Sequence, residues 1–507
     1  MTRVIYIPLD ERHCNLILPG QIGATAGLEV ITPGADIIGQ YKMRGNADVV
    51  WSWLIDNAPR CKYAVISLDM LVYGGLVRSR KHSMTTEECS ERLKRIKRLR
   101  ESNPDLVIIA YMLIMRTSNM NNNSEDPDYW LDYGKKMWSL SYLSDKKSRT
   151  FLHDLEEKQL KSLEKAIPQE HIDDYTGRRK NNLEINLQAL EMLKNGYIDE
   201  LVIPKDDNSE YGYSTKDNEA ILAEVSRLGI AHKVMIYPGT DEVGSVLMAR
   251  ILNRVNDKKP RVFVCYSSTL GPQIIAKYED RPINESVKCQ IISSGCITVD
   301  SSVDADIILM VNSPGTEMIE AAEQSSSDQT YSNYRNLREF IERLKFYIDH
   351  GSRCIIADIA YCNGADNELM DLLVSENLLD KIHGYGGWNT TSNTLGVVIS
   401  QGVASCNLGL MSIRSNNELY KIHMYKTIED WAFQANVLKN IVTDLAKNKK
   451  IDNYNLDEHI GSISERISTE VNEFIGNELT TLGSIKVGDV RLPWGRTFDI
   501  DYDLIIG

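Results

Sequence analysis

Three pairs of neighbouring acids follow short apolar runs in this 507-residue chain: Asp10-Glu11 after VIYIPL, Asp206-Asp207 after ELVIPK, and Asp241-Glu242 after KVMIYPGT. Asp69 and Asp358 take the same place after YAVISL and RCIIA. Carboxylates held close together do not ionise independently: one pKa rises while the other stays low, as general acid/base catalysis requires. The same acids could instead hydrogen-bond a hydroxyl-rich ligand or hold a hard cation such as Mg²⁺ or Mn²⁺. Asp206-Asp207 is the leading catalytic pair, and Asp241-Glu242 the second. The plainer alternatives are an Asx-turn or helix N-cap at Asp207, and capping of the helix GSVLMARILNRV by Asp241-Glu242.

Residues suited to holding polar groups stand nearby. Asp10, Glu11 and Arg12 end the first run, where an internal salt bridge is the alternative role. Asp69 precedes the turn at Tyr73, Arg116 ends LVIIAYMLIMR, and Tyr211 follows the acid pair in KDDNSEYG. Asp358 ends a later run, and Trp388, Asn389 and Asn393 lie in GWNTTSNT. Aromatic faces pack on a sugar ring while amides and carboxylates take its hydroxyls, so this mixture favours a carbohydrate. Arg496, in LPWGRTF, either reaches the site or clamps the C-terminal segment. Other chemistries lack their signatures: there is no GxSxG, P-loop or GxGxxG. The nine histidines form no HxH or HExxH set, and the nine cysteines no CxxC pair. No metal site, no cofactor and no disulfide framework is expected.

The elements that must position these residues are legible as β-branched runs at 4–12, 63–75, 106–116, 200–212, 233–244, 261–268, 305–315, 353–366 and 381–393, with shorter ones at 29–34 and 295–300. They lack polar alternation, so they read as strands buried on both faces of a parallel sheet. Amphipathic stretches such as 86–102, 181–196 and 217–229 read as the crossover helices. The expected fold is α/β: a (β/α)8-barrel-like parallel sheet over residues 1–415, with a helical insertion at 117–199. A C-terminal helical extension with a final extended segment covers 416–507. Two doubly wound α/β domains are the alternative. In either architecture the carboxyl ends of strands carry the site.

The motifs PLDER (8–12), SLDMLVYGGLVRSR (67–80), KDDNSEYG (205–212), GTDEVG (239–244), GWNTTSNTLG (387–396) and LPWGRTF (492–498) resemble the bacterial domain-of-unknown-function family 4127 (DUF4127) along nearly the whole chain. That resemblance implies one integrated unit and supplies no activity. His13 stands where the family pattern PLDERP has its second proline. By fold-level analogy, an Asp-Asp pair after a fourth strand is similar to the substrate-assisted barrel β-N-acetylhexosaminidases. That analogy implies that Asp206 orients the reacting group and Asp207 is the acid/base.

The leading expectation is a glycoside hydrolase acting on a small polar sugar, an exo-enzyme resembling N-acetylhexosaminidases. A metal-dependent (Mg/Mn) hydrolase or lyase and a non-catalytic sugar or amino-acid binder are the alternatives. The net charge of -14 argues against nucleic acid, whose phosphates need a basic face. Absence of a signal-like start or a long apolar run points to a cytoplasmic chain with no membrane partner. The expected partner is a small carbohydrate, and a homo-oligomer is allowed.

Overall fold

A computed structural model describes residues 1–39, 45–409, 411–447 and 451–507. Each apolar run read as a strand carries one. Six form a parallel sheet: β1 (Thr2–Ile7), β2 (Leu28–Ile31), β3 (Tyr63–Ser67), β4 (Val107–Tyr111), β5 (Glu200–Lys205) and β6 (Val234–Pro238), in the order β2-β1-β3-β4-β5-β6. Five more form a second: β7 (Arg261–Tyr266), β8 (Ile297–Thr298), β9 (Ile307–Asn312), β10 (Cys354–Asp358) and β11 (Tyr385–Gly386), in the order β8-β7-β9-β10-β11.

The α/β class holds, but the barrel-like sheet over 1–415 is replaced by two open sheets, as in the two-unit alternative. In each sheet the chain first steps outward, to β2 or β8, then returns across the starting strand to build the other side. That reversal leaves two edges, where a barrel needs strands added in one direction until they close. The edge strand β2 is the EVITPG run, so Asp206-Asp207 follows the fifth strand of its sheet, and the fourth-strand analogy to barrel glycosidases fails.

Alternation along the strands explains the apolar runs. Ile5 and Ile7 of β1 join Ile66, Ile108 and Ile203 on one face, while Val4 and Tyr6 join Val65, Ile109 and Val202 on the other. Both faces are covered by helices, so both sets are apolar. The insertion is three helices, Trp130–Arg149, Asp154–Ala166 and Gln169–Lys194, with a small core around Trp130, Met137, Leu163 and Tyr175. Beyond residue 416 come further helices and an antiparallel hairpin of β12 (Ile485–Arg491) and β13 (Asp501–Ile506).

One helix joins the two sheets. Thr391–Leu408 is buried from Thr391 through Ser405 and packs on helix Val243–Val255, which follows β6, and on β9 and β10. It is short of charge all round, as a fully enclosed helix must be. Small residues permit the approach: a Cβ on Gly396 would lie 2.3 Å from Glu242 Cγ. The N-terminal turn of this helix reaches the carboxyl end of β6.

Candidate active site

A cleft with a cavity volume of about 140 Å³ lies where the carboxyl ends of β1, β4, β5 and β6 meet loops of the second sheet and the C-terminal segment. It has room for one small polar molecule.

The ends of β1 and β6 are tied through Arg12. Its guanidinium donates to Asp10 (3.1 and 2.7 Å) and to both oxygens of Asp241 (3.2 and 2.5 Å). Asn15 Nδ2 donates to the same two acids at 3.1 and 2.9 Å, and Asn389 Nδ2 donates to Asp241 at 3.0 Å. Asp241 therefore lines the cleft with its oxygens already occupied, and burial still pushes its carboxyl up despite Arg12. Asn393, in the first turn of the joining helix, accepts from the backbone N–H of Thr240 (3.2 Å) and Asp241 (3.0 Å). Asn389 adopts φ 68°, a left-handed conformation that asparagine tolerates better than most residues.

The end of β5 supplies Asp206 and Asp207. Asp206 is buried and paired with Arg80 at 2.5 Å, while its other oxygen accepts from the Asp207 N–H at 3.0 Å. Asp207 differs. Its side chain is 31% exposed, and its one ion pair among the described residues is with Arg116 at 3.3 Å. Partial burial and the neighbouring Asp206 push its carboxyl up to about 6, against the pull of Arg116 and Arg80. Arg116 also binds Asp126 at 2.8 Å. Glu125 receives Arg80 at 2.7 Å, Arg116 at 3.4 Å and Arg496 from the C-terminal segment. Burial raises Glu125, but those guanidiniums outweigh it and hold the carboxyl well below the usual range.

Thus Asp206, Asp207, Asp241, Arg12, Arg116, Asn389 and Asn393 line the cleft. Asp10 acts one step back, on Arg12. Glu11 accepts from Trp494 Nε1 at 2.7 Å, fastening the β1 loop to the C-terminal segment.

Others do not line the cleft. Glu242 is fully buried, accepting from Thr240 N–H and Gln290 Nε2 at 2.8 Å each, and burial takes it to about 7. Asp69 turns inward to accept the Leu113 N–H at 2.9 Å, and burial takes it to about 7. Tyr73 is buried and stacks on His82. Tyr211 packs edge-on against Tyr142 outside the cleft. Asp358 belongs to the second sheet, bound by Asn312 (2.9 Å) and Tyr385 (2.9 Å). Trp388 is buried beneath Lys426 and beside Phe498, so the expected sugar platform is not formed by it. The aromatic side chains at the cleft are Trp138, Tyr278, Tyr454 and Phe498.

Arg80, Glu125, Asp126 and Glu279 were not singled out by sequence. Arg80 is the last residue of SLDMLVYGGLVRSR, and Glu125-Asp126 is an acid pair in the polar run after Arg116, so a signal was present for each. Glu279 accepts from the Ser392 N–H at 2.6 Å and fixes the start of the joining helix. Arg496 reaches the site and clamps the C-terminal segment at once, binding Glu125 and stacking on Trp494 and Phe498. Among the described residues no group of three or more acid, histidine or cysteine side chains is arranged to hold a metal ion, and no helix is long and apolar enough to cross a membrane.

No curated protein and no solved structure matches this chain. A family model described as a protein of unknown function, DUF4127, matches residues 4–503, and the chain belongs to that family.

Proposed function

We propose that the cleft is the active site of a glycoside hydrolase acting on a small polar sugar, with Asp207 as its general acid/base. One observation carries the reading: Asp207 is the cleft carboxylate left with a single long ion pair and partial exposure, while Asp206 and Asp241 are locked by arginines. An acid near 6 can give and regain a proton at neutral pH, which a carboxylate at its ordinary value does poorly. Burial chiefly keeps Asp207 raised and the neighbouring Asp206 adds to it, and Asp206, fixed and close, can orient the reacting group. The polar lining and the rings of Tyr278 and Tyr454 support a hydroxylated ligand. The small cavity supports action on a terminal residue or a free small molecule.

The test is a pH–rate profile on a panel of aryl glycosides of single sugars. Protonated Asp207 must donate to the leaving group, so the rate falls as pH rises through about 6. A profile without a limb near that value, or turnover that stops in chelator, would contradict the reading.

A further inference from the structure

Arginines do not usually crowd one carboxylate in a cleft wall otherwise rich in acids. Arg80, Arg116 and Arg496 all meet Glu125, although they come from three separate segments. Each guanidinium is seated by something else as well. Arg80 stands on helix Leu76–Lys81 and holds Asp206, Arg116 holds Asp126, and Arg496 lies between the rings of Trp494 and Phe498. Glu125 has no comparable support. It sits on the connection between β4 and helix Trp130–Arg149, in a stretch without helix or strand, just after the exposed residues Asn119, Met120 and Asn121. Arg80 stands on a helix, and Arg116 and Arg496 are held by Asp126 and by the rings of Trp494 and Phe498, while Glu125 is held by the three arginines.

The donor set is also incompletely used. The Nε–H groups of Arg80 and Arg116 are buried and have no acceptor among the described residues. A buried guanidinium with an idle N–H favours a further oxyanion, because planar forked donors bind two-oxygen acceptors best.

We propose that Arg80, Arg116 and Arg496 form an anion-binding subsite, held in this structure by the protein's own Glu125 and taken over by a carboxylate or phosphate group on the small polar substrate. This rests on reading the cleft as the substrate site. The exchange conserves charge: one oxyanion leaves the arginines as another arrives, so no guanidinium is left buried and unpaired. The remaining cleft acids repel an anion elsewhere, which fixes the orientation of the substrate. Acidic sugars or sugar phosphates are thereby selected over neutral ones.

Calorimetric titration of the full chain with D-glucuronate, glucose 6-phosphate and D-glucose tests this. Wild type should bind at least one anionic probe about tenfold more tightly than D-glucose, and the preferred anion tells carboxylate from phosphate. Glu125→Gln removes the internal competitor and should tighten the preferred anion about tenfold further while leaving D-glucose unchanged. Arg496→Gln should abolish the preference, and this variant decides the matter if Glu125→Gln does not fold. Equal affinities for charged and neutral probes in wild type, or no tightening in a folded Glu125→Gln protein, would overturn the subsite. Asp207→Asn should retain the anion preference. Anion binding without any Asp207-dependent turnover would therefore sink the catalytic reading alone, and turnover of neutral sugars only would sink the subsite alone.

Discussion

The two sheets share one strand order, yet the cleft with the paired acids stands at the carboxyl ends of the first. Reading from the second-formed strand inward, both run second, first, third, fourth, fifth, and the first sheet adds a sixth strand. Each therefore has a reversal of direction beside its first strand, the place where open α/β sheets bind ligands. Both gather polar side chains there. In the second sheet these are Ser267, Asn312, Asp358 and Asp366, and Arg335 fills the space between them. It pairs with Asp366 at 2.5 Å, approaches Asn312 at 3.4 Å, and stacks on Tyr331. The connection after β9 folds back to deliver it: Asn336 N–H binds the Ser267 carbonyl at 2.9 Å, and Ser268 bridges to Arg335. In the first sheet the corresponding acids meet arginines at the walls, and the middle stays open. Polar strand ends are thus common to both units, and the loop laid over them decides which becomes a site.

The comparison can be broken most forcefully at Arg335. Arg335→Ala leaves Asp366 buried without its cation, and both side chains are only 2% exposed. A loss of about 3–5 kcal/mol in urea unfolding is expected, with activity per folded molecule unchanged. Lost turnover in a stably folded variant would make the second sheet part of the site.

Gly396→Ala probes the helix that joins the sheets. The new methyl group meets Glu242, so stability should fall by about 1–3 kcal/mol, read as a lower Tm. An unchanged Tm would mean that the joining helix packs less tightly than these contacts require.

A pH-dependent effect separates structural acids from the catalytic one. Burial raises Asp69 to about 7 in the folded chain, against about 3.9 for an unfolded aspartate. The folded state then holds the extra proton, so stability is full below pH about 4 and declines as pH rises to about 7. Asp69→Asn keeps an acceptor for the Leu113 N–H and should flatten that decline. A wild-type stability curve rising across that window in step with Asp69 would contradict it.

Much of this was legible because parallel strands buried on both faces leave uninterrupted apolar runs, and their ends identify where polar residues gather. Arg12, Arg116, Asp206, Asp207 and Asp241 were found that way. What could not be read was which of two neighbours faces the cleft. Asp241 and Glu242 are adjacent, as are Trp388 and Asn389, and in each pair one side chain turns inward where backbone direction and packing send it. Closure was equally hidden, since the short β2 and β8 runs carry no mark of the edge they occupy. Arg80 was missed because it reaches Asp206 from a helix 126 residues earlier, a pairing that only the fold creates.

The most direct measurement is turnover of Asp207→Asn beside wild type, with Tm recorded for both. Asp207 is partly exposed and holds one long ion pair, so Tm should change little while turnover falls by at least about a hundredfold. Full turnover in a folded Asp207→Asn protein would contradict the assignment of the cleft as an acid/base site.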